Sequence, residues 1–141
     1  MFHIRKYEER LTSWNQFRQT LETEDDPIQA SLDFYNQAPM VSINTDPWDE
    51  ATWPDPWELV FENQYCSFCS VLGVCYSLQL TERFKESNFE IHIGIDREKS
   101  HTVYLLLVDD IVIMWNDGTA TKTELSETLQ VEKKYVMPKL Q

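Results

Sequence analysis

The residues of this chain that could do covalent chemistry are few and lie close together. Cys66, Cys69 and Cys75 fall within ten residues of one segment, and His92 and His101 follow them. A cysteine becomes a nucleophile when a nearby base takes its proton and a third group orients that base. Residues of those types are Cys66 as nucleophile, His101 as general base and Asp117 as orienting acceptor. With Asn63 as cap, Cys66 stands near the third position of an apolar helix. There the helix dipole and its unpaired N–H groups favour a thiolate. The competing reading is plainer: cysteines in an apolar helix serve as small core residues. Under it His101 only closes a strand end, and His92 is solvated on the polar face of its strand.

Cys66-Ser67-Phe68-Cys69 also has the C-x-x-C spacing of redox and zinc sites. As a redox pair it lacks the preceding strand of a thioredoxin-like unit. As half a zinc site, completed by His92 and His101, it lacks a second close-spaced ligand pair. No metal and no cofactor is expected.

The elements that must position these residues change period at mid-chain. Ser13-Trp14-Asn15-Gln16 fits a capping box, and Trp14, Phe17 and Leu21 follow at helical spacing. Asp26-Pro27-Ile28-Gln29 opens a second helix, with Ile28, Leu32 and Tyr35 on one face, ended by Pro39. Residues 40–54 read as a loop, and Asp55-Pro56-Trp57-Glu58 opens a short helix to about Phe61. From about Asn63 to Arg83 runs the most apolar segment, a central buried helix. Gly73 in its middle costs about 1 kcal/mol relative to Ala, which implies close packing there. Phe89, Ile91, Ile93 and Ile95 then alternate with polar residues as a half-buried strand. His101–Val108 is a more apolar strand, and Ile111–Trp115 returns antiparallel after Asp109-Asp110. Asp117-Gly118 marks another turn. A further strand is expected around Thr119–Leu125, followed by a polar, partly ordered end.

The fold class expected is therefore α+β: N-terminal helices and one central buried helix packed on a C-terminal antiparallel sheet. Residues 1–141 form one domain, with a helical part over about 1–84, a sheet over about 88–128 and a tail over 129–141. Strand register decides the third member of the cysteine set. A three-residue turn at 108–110 puts Asp117 on the face of His101, whereas a two-residue turn puts Asn116 there.

A second constellation is aromatic. Asp46-Pro47-Trp48 recurs nine residues later as Asp55-Pro56-Trp57, so that Trp48, Trp53 and Trp57 share one short acidic stretch. In the plain reading Asp caps, Pro starts the turn and Trp packs. An exposed tryptophan among the three would mark the segment as a partner-binding surface.

Composition bounds the partners. Twenty-four acidic against twelve basic residues give a formal charge of −12. Affinity for DNA or RNA rests largely on Lys and Arg displacing counterions, so direct nucleic-acid binding is not expected. No apolar run reaches the ~18 residues that cross a bilayer, so no membrane partner is expected. The first residues carry no hydrophobic stretch of a secretion signal. The odd, clustered cysteines argue for free thiols in a reducing compartment. The charge suits a protein partner, or an acidic mimic that occupies the basic cleft of a nucleic-acid-binding protein.

Over Trp57–Gly118 the chain resembles the transglutaminase-like branch of papain-like cysteine enzymes. There the nucleophile starts a central helix, and His and Asp come from neighbouring strands at the spacing of His101 and Asp117. Carried over by position, the resemblance implies Cys66, His101 and Asp117 as catalytic residues of an acyl transferase or hydrolase. The Gly-Asp that commonly precedes the nucleophile is Gln64-Tyr65 here, and the aromatic commonly two after the His is Val103. These departures imply a scaffold turned to binding. Trp53-Pro54-Asp55-Pro56-Trp57-Glu58-Leu59 and Glu62-Asn63-Gln64-Tyr65-Cys66 are also similar to small proteins of tailed phages infecting marine cyanobacteria. That likeness implies an accessory or virion-associated protein, in the host cytoplasm or the virion, acting on a viral or host protein.

Overall fold

The computed structural model describes residues 1–41, 45–116, 119–125 and 127–141. The architecture is α+β, with the helices N-terminal and an antiparallel sheet C-terminal. Two compact units divide the chain, Met1–Lys85 with Leu140–Gln141, and Glu86–Lys139.

The first unit holds α1 (Tyr7–Leu21), α2 (Pro27–Tyr35), a 3-10 turn at Glu50–Thr52, α3 (Pro56–Glu62) and α4 (Ser67–Gln79). Two starts follow from local chemistry alone. Asp26 accepts the Gln29 N–H with Pro27 at the first helical position. Asp55 and Glu58 form a complete capping box at Pro56. Each satisfies backbone donors that the first turn leaves free.

α1 departs from expectation, because Ser13 lies inside it and Lys6 precedes it without a side-chain cap. In place of a cap, a side chain of α1 itself ties down the segment that leads into the helix. Arg10, buried at 6 % exposure, donates to the carbonyls of Ile4 and Arg5 ahead of α1 and of Val60 and Phe61 at the end of α3. A guanidinium among the last carbonyls of a helix also meets the negative end of its dipole.

Asn63 is not the cap of the central helix. It ends α3 in the left-handed conformation, φ 52°, and its side-chain amide donates to the Phe2 carbonyl. Asn enters that region more readily than most residues, which is why it can stop a helix. α4 therefore starts later, with Cys66 itself at the N-cap in an extended conformation. From Phe68 to Gln79 every residue of α4 is buried. Gly73 faces the Tyr35 ring of α2, the close neighbour its small size implied. One turn on, Ser77 Oγ accepts from Trp14 Nε1 of α1 at 2.9 Å and pairs with the Tyr35 hydroxyl at 3.0 Å. Three helices thus meet on one hydroxyl.

Burial sets a pH limit on this core. Loss of solvation pushes the Tyr35 phenol up to about 12, against a partial offset from its Ser77 and Trp14 contacts. Desolvation raises Tyr65 and Tyr76 as well. A raised phenol favours the folded state while protonated. Its stabilisation is complete below the unfolded value near 10 and is lost as pH rises towards 12. Tyr35 alone should cost about 3 kcal/mol over that window. At about pH 11 roughly half of that, about 1.4 kcal/mol, is already gone. Denaturant melts at about pH 8 and about pH 11 should therefore differ by at least that smaller amount, and equal midpoints would contradict the burial of Tyr35.

The second unit is a five-stranded antiparallel sheet in the order β4-β3-β2-β1-β5. Its strands are β1 (Phe89–Asp96), β2 (His101–Val108), β3 (Ile111–Asn116), β4 (Thr119–Thr123) and β5 (Leu129–Val136). The sheet thus continues into the expected tail, where β5 pairs with β1 along its outer edge. A bulge opposite Ile93 and Gly94 leaves Glu132 without a register partner. With Lys133 and Lys134 beside it, the bulge blunts an edge that would otherwise template aggregation.

β1 is therefore flanked on both sides, which overturns the reading of His92 as solvated. It is 5 % exposed, between Leu105 on β2 and Lys134 on β5. Its Nε2 pairs with Glu90 Oε1 at 3.3 Å, while Nδ1 has no partner among the described residues.

Candidate functional site

The chemistry-bearing residues divide between the units. In the first, Cys66 and Cys69 bracket the opening turn of α4, their sulfurs hydrogen-bonded at 3.5 Å. The Thr45 hydroxyl lies 3.4 Å from Cys69 Sγ. All three cysteines are buried thiols, none of them in a disulfide. The hydrogen bond to Cys66, followed by burial, holds the Cys69 thiol far above its ordinary range, and burial does the same for Cys75. Cys69 and Cys75 are thus protonated at neutral pH.

His101 opens β2 in the second unit. Val108 pairs with Ile111, so the β2–β3 connection is the two-residue turn Asp109-Asp110. Asp109, at φ 52°, locks that turn to the start of β1: its N–H donates to the Asn88 carbonyl and its carboxylate accepts the Asn88 N–H. In the resulting register Asn116 shares the face of His101, and its Oδ1 meets His101 Nε2. Asp117, the expected third member, lies outside the described residues.

The same face of the sheet carries a pocket of about 240 Å³, floored by Leu105, Met114 and Leu129 beside Asn116, with Asp96 and Lys99 at its rim. It is smaller than the ~300–1,000 Å³ of sites for drug-sized ligands. No group of three His, Cys, Asp or Glu side chains placed to hold a metal ion occurs among the described residues. No helix there is long and apolar enough to cross a membrane.

The aromatic constellation is built by the two Asp-Pro-Trp triplets. Asp46 accepts the Trp48 N–H at 2.9 Å, and Asp55 accepts the Glu58 N–H at 2.8 Å. Pro47, Pro54 and Pro56 are buried, and Tyr76 of α4 donates to the Pro54 carbonyl at 2.7 Å. The backbone is thereby fixed at several points.

Its tryptophans divide accordingly. Trp53 turns inward, its ring 4.9 Å from Phe68 and its Nε1 donating to the Asp46 carbonyl. Trp48 and Trp57 remain 51 % and 48 % exposed. The edge of Trp57 meets Trp14 at 5.6 Å. The aspartates and prolines thus act as caps and turn formers and Trp53 packs, whereas Trp57 packs on one edge only and Trp48 has no ring contact among the described residues.

Phe61, one helical turn beyond Trp57, is 63 % exposed and meets the Tyr7 ring at 5.2 Å. Sequence reasoning passed over it as the end of a short helix. Its spacing of four from Trp57 was the available signal, because Leu59 and Val60 already supply the inner face of α3. No protein-family model, curated protein or solved structure matches the chain.

Proposed function

We propose that this protein acts by binding another protein through the acidic aromatic segment around Trp48, Trp57 and Phe61, without catalysis of its own. The observation that carries the reading is the half-exposure of Trp48 and Trp57 on a backbone already fixed by Asp46, Asp55 and three buried prolines. Large exposed aromatics on a rigid frame are typical binding anchors, because little conformational entropy remains to be lost. With a formal charge of −12, the complementary partner carries Lys or Arg beside an apolar recess. Such cations gain further by stacking on indole. The likeness to small phage proteins supports a viral or host protein as that partner, with this chain an accessory or virion-associated protein on a transglutaminase-like scaffold.

Trp48 makes no ring contact among the described residues, so Trp48→Ala should leave the melt within about 0.5 kcal/mol of wild type. Binding to the partner should weaken at least tenfold. Capture from extracts of the producing cell, wild type against Trp48→Ala, reads both. Equal capture by the variant would sink the proposal. An acidic inhibitor of a nucleic-acid-binding protein would instead show steep loss of binding with salt and competition by DNA.

A second reading is favoured by one observation, the hydrogen bond between His101 and Asn116. An imidazole held by an amide oxygen is an oriented base, the kind of partner a cysteine nucleophile needs for acyl transfer on amide or ester bonds. That reading requires Cys66 to alkylate several-fold faster than Cys69 and Cys75 near neutral pH. His101→Ala should then abolish the difference. Slow, equal labelling of all three thiols rules it out.

A further inference from the structure

Cys66 and Cys69 are separated by two residues, yet their sulfurs already touch at 3.5 Å. A disulfide needs about 2.05 Å, so closure asks for an approach of roughly 1.5 Å. Cys66 stands at φ −94°, ψ 176°, outside the helix, where its side chain can turn without disturbing the hydrogen-bond ladder of α4. The missing lead-in strand that counted against a redox pair is partly supplied. Tyr65 forms a parallel bridge with Met40 and accepts the Val41 N–H at 2.9 Å, so an extended residue runs directly into the helix.

The geometry points to Cys66 and Cys69 as a redox-active dithiol that is oxidised to an intramolecular disulfide by small-molecule disulfides. The roles of the two sulfurs differ. Cys66, at the N-cap, lies where unpaired helix N–H groups favour a thiolate and keeps 4 % exposure, against 1 % for Cys69. Cys69 is held protonated by its hydrogen bond to Cys66 and by burial.

The Cys66 thiolate attacks one sulfur of the oxidant, forming a mixed disulfide and expelling a thiolate, which takes the Cys69 proton. The Cys69 thiolate then attacks Cys66 Sγ and expels the second thiolate, protonated by solvent. Two protein thiols are oxidised and one external disulfide is reduced to two thiols. This exchange is independent of the tryptophan surface and of His101.

The test uses the full chain and 2-hydroxyethyl disulfide, with mass spectrometry and peptide mapping after acid quench. In wild type and in Cys75→Ala, two thiols should disappear together into a Cys66–Cys69 bridge. The mixed disulfide should stay below about a tenth of the protein, because a resolving thiol so close outcompetes solution thiols. Cys69→Ser should stop at the mixed disulfide on Cys66, and Cys66→Ser should leave Cys69 reduced. Thiols that survive in the folded wild type but oxidise in denaturant would overturn the proposal. So would a mixed disulfide that accumulates on wild-type Cys66, or a bridge to Cys75.

Discussion

Arg10→Ala should cost about 3–5 kcal/mol, the largest loss expected from any single side chain outside the apolar core. The guanidinium donates four hydrogen bonds, all to backbone carbonyls, at 2.7 to 3.0 Å. A net bond from a charged donor contributes about 1.5–3 kcal/mol, and a buried carbonyl left alone costs about 1–3 kcal/mol. Water can reach three of the four sites, which keeps the total below the simple sum. Both α1 and α3 would lose an end restraint at once, since one side chain serves Ile4, Arg5, Val60 and Phe61. Arg10→Lys should recover little, because a single ammonium cannot span carbonyls that a planar fork reaches in several directions. Thermal or urea melts of both variants check this. A midpoint for Arg10→Ala within about 0.5 kcal/mol of wild type would show that the guanidinium does not hold the two ends together.

Gly73→Ala should destabilise by about 2 kcal/mol, against the usual direction for a helix interior. Propensity alone favours Ala by about 1 kcal/mol. Packing opposes it, because the new Cβ would lie 2.3 Å from Tyr35 Cε1 and 2.7 Å from Cζ. Carbon atoms prefer about 3.5–4.0 Å, so the ring must move by more than an ångström. It cannot do so freely. Its hydroxyl is tied to Ser77 Oγ, and the rings of Phe2, Phe17, Phe34 and Tyr65 surround it at 5.2 to 6.4 Å in mostly edge-on contacts. Overpacking of this kind costs about 1–3 kcal/mol and here wins over propensity. Replacing the ring removes the clash, so Tyr35→Leu and Gly73→Ala together should cost clearly less than their sum. A stabilised Gly73→Ala protein would mean that Tyr35 does not occupy the position assigned to it.

What could be read from the sequence follows a physical division between local and distant restraints. Asp26-Pro27 and Asp55-Pro56 start helices through contacts three residues long, and both starts are where the residues placed them. The start of α1 was illegible, because its restraint comes from Arg10 contacts that reach residues of α3 fifty positions away. Asn63 was misassigned because the same side chain suits a helix start and a left-handed stop. The misplacement moved Cys66 from inside the helix to its cap.

The sheet shows the same division. Alternation marked Phe89, Ile91, Ile93 and Ile95 as the inner face; Ile95 is only half-buried, and His92 on the opposite face is buried too, because β5 closes the outer side of β1. β5 itself was hidden by Glu132, Lys133 and Lys134, the charges that protect an edge and erase its apolar signature. For the candidate sites, the choice between Asn116 and Asp117 rested on one turn length that the strands left open. Exposure of Trp48 and Trp57 was beyond the reach of pattern, since a tryptophan that packs and one that waits for a partner have the same neighbours in sequence.

The binding role of that surface is tested most directly by photo-crosslinking from position 48. A chain carrying Trp48→p-benzoylphenylalanine, irradiated in extract of the producing cell, should give one discrete adduct with a protein whose contact region is basic. The same group placed at Thr119 on β4 should give none. Adducts of equal yield from both positions, or none from position 48 while the protein remains folded, would contradict a partner-binding role for the tryptophan segment.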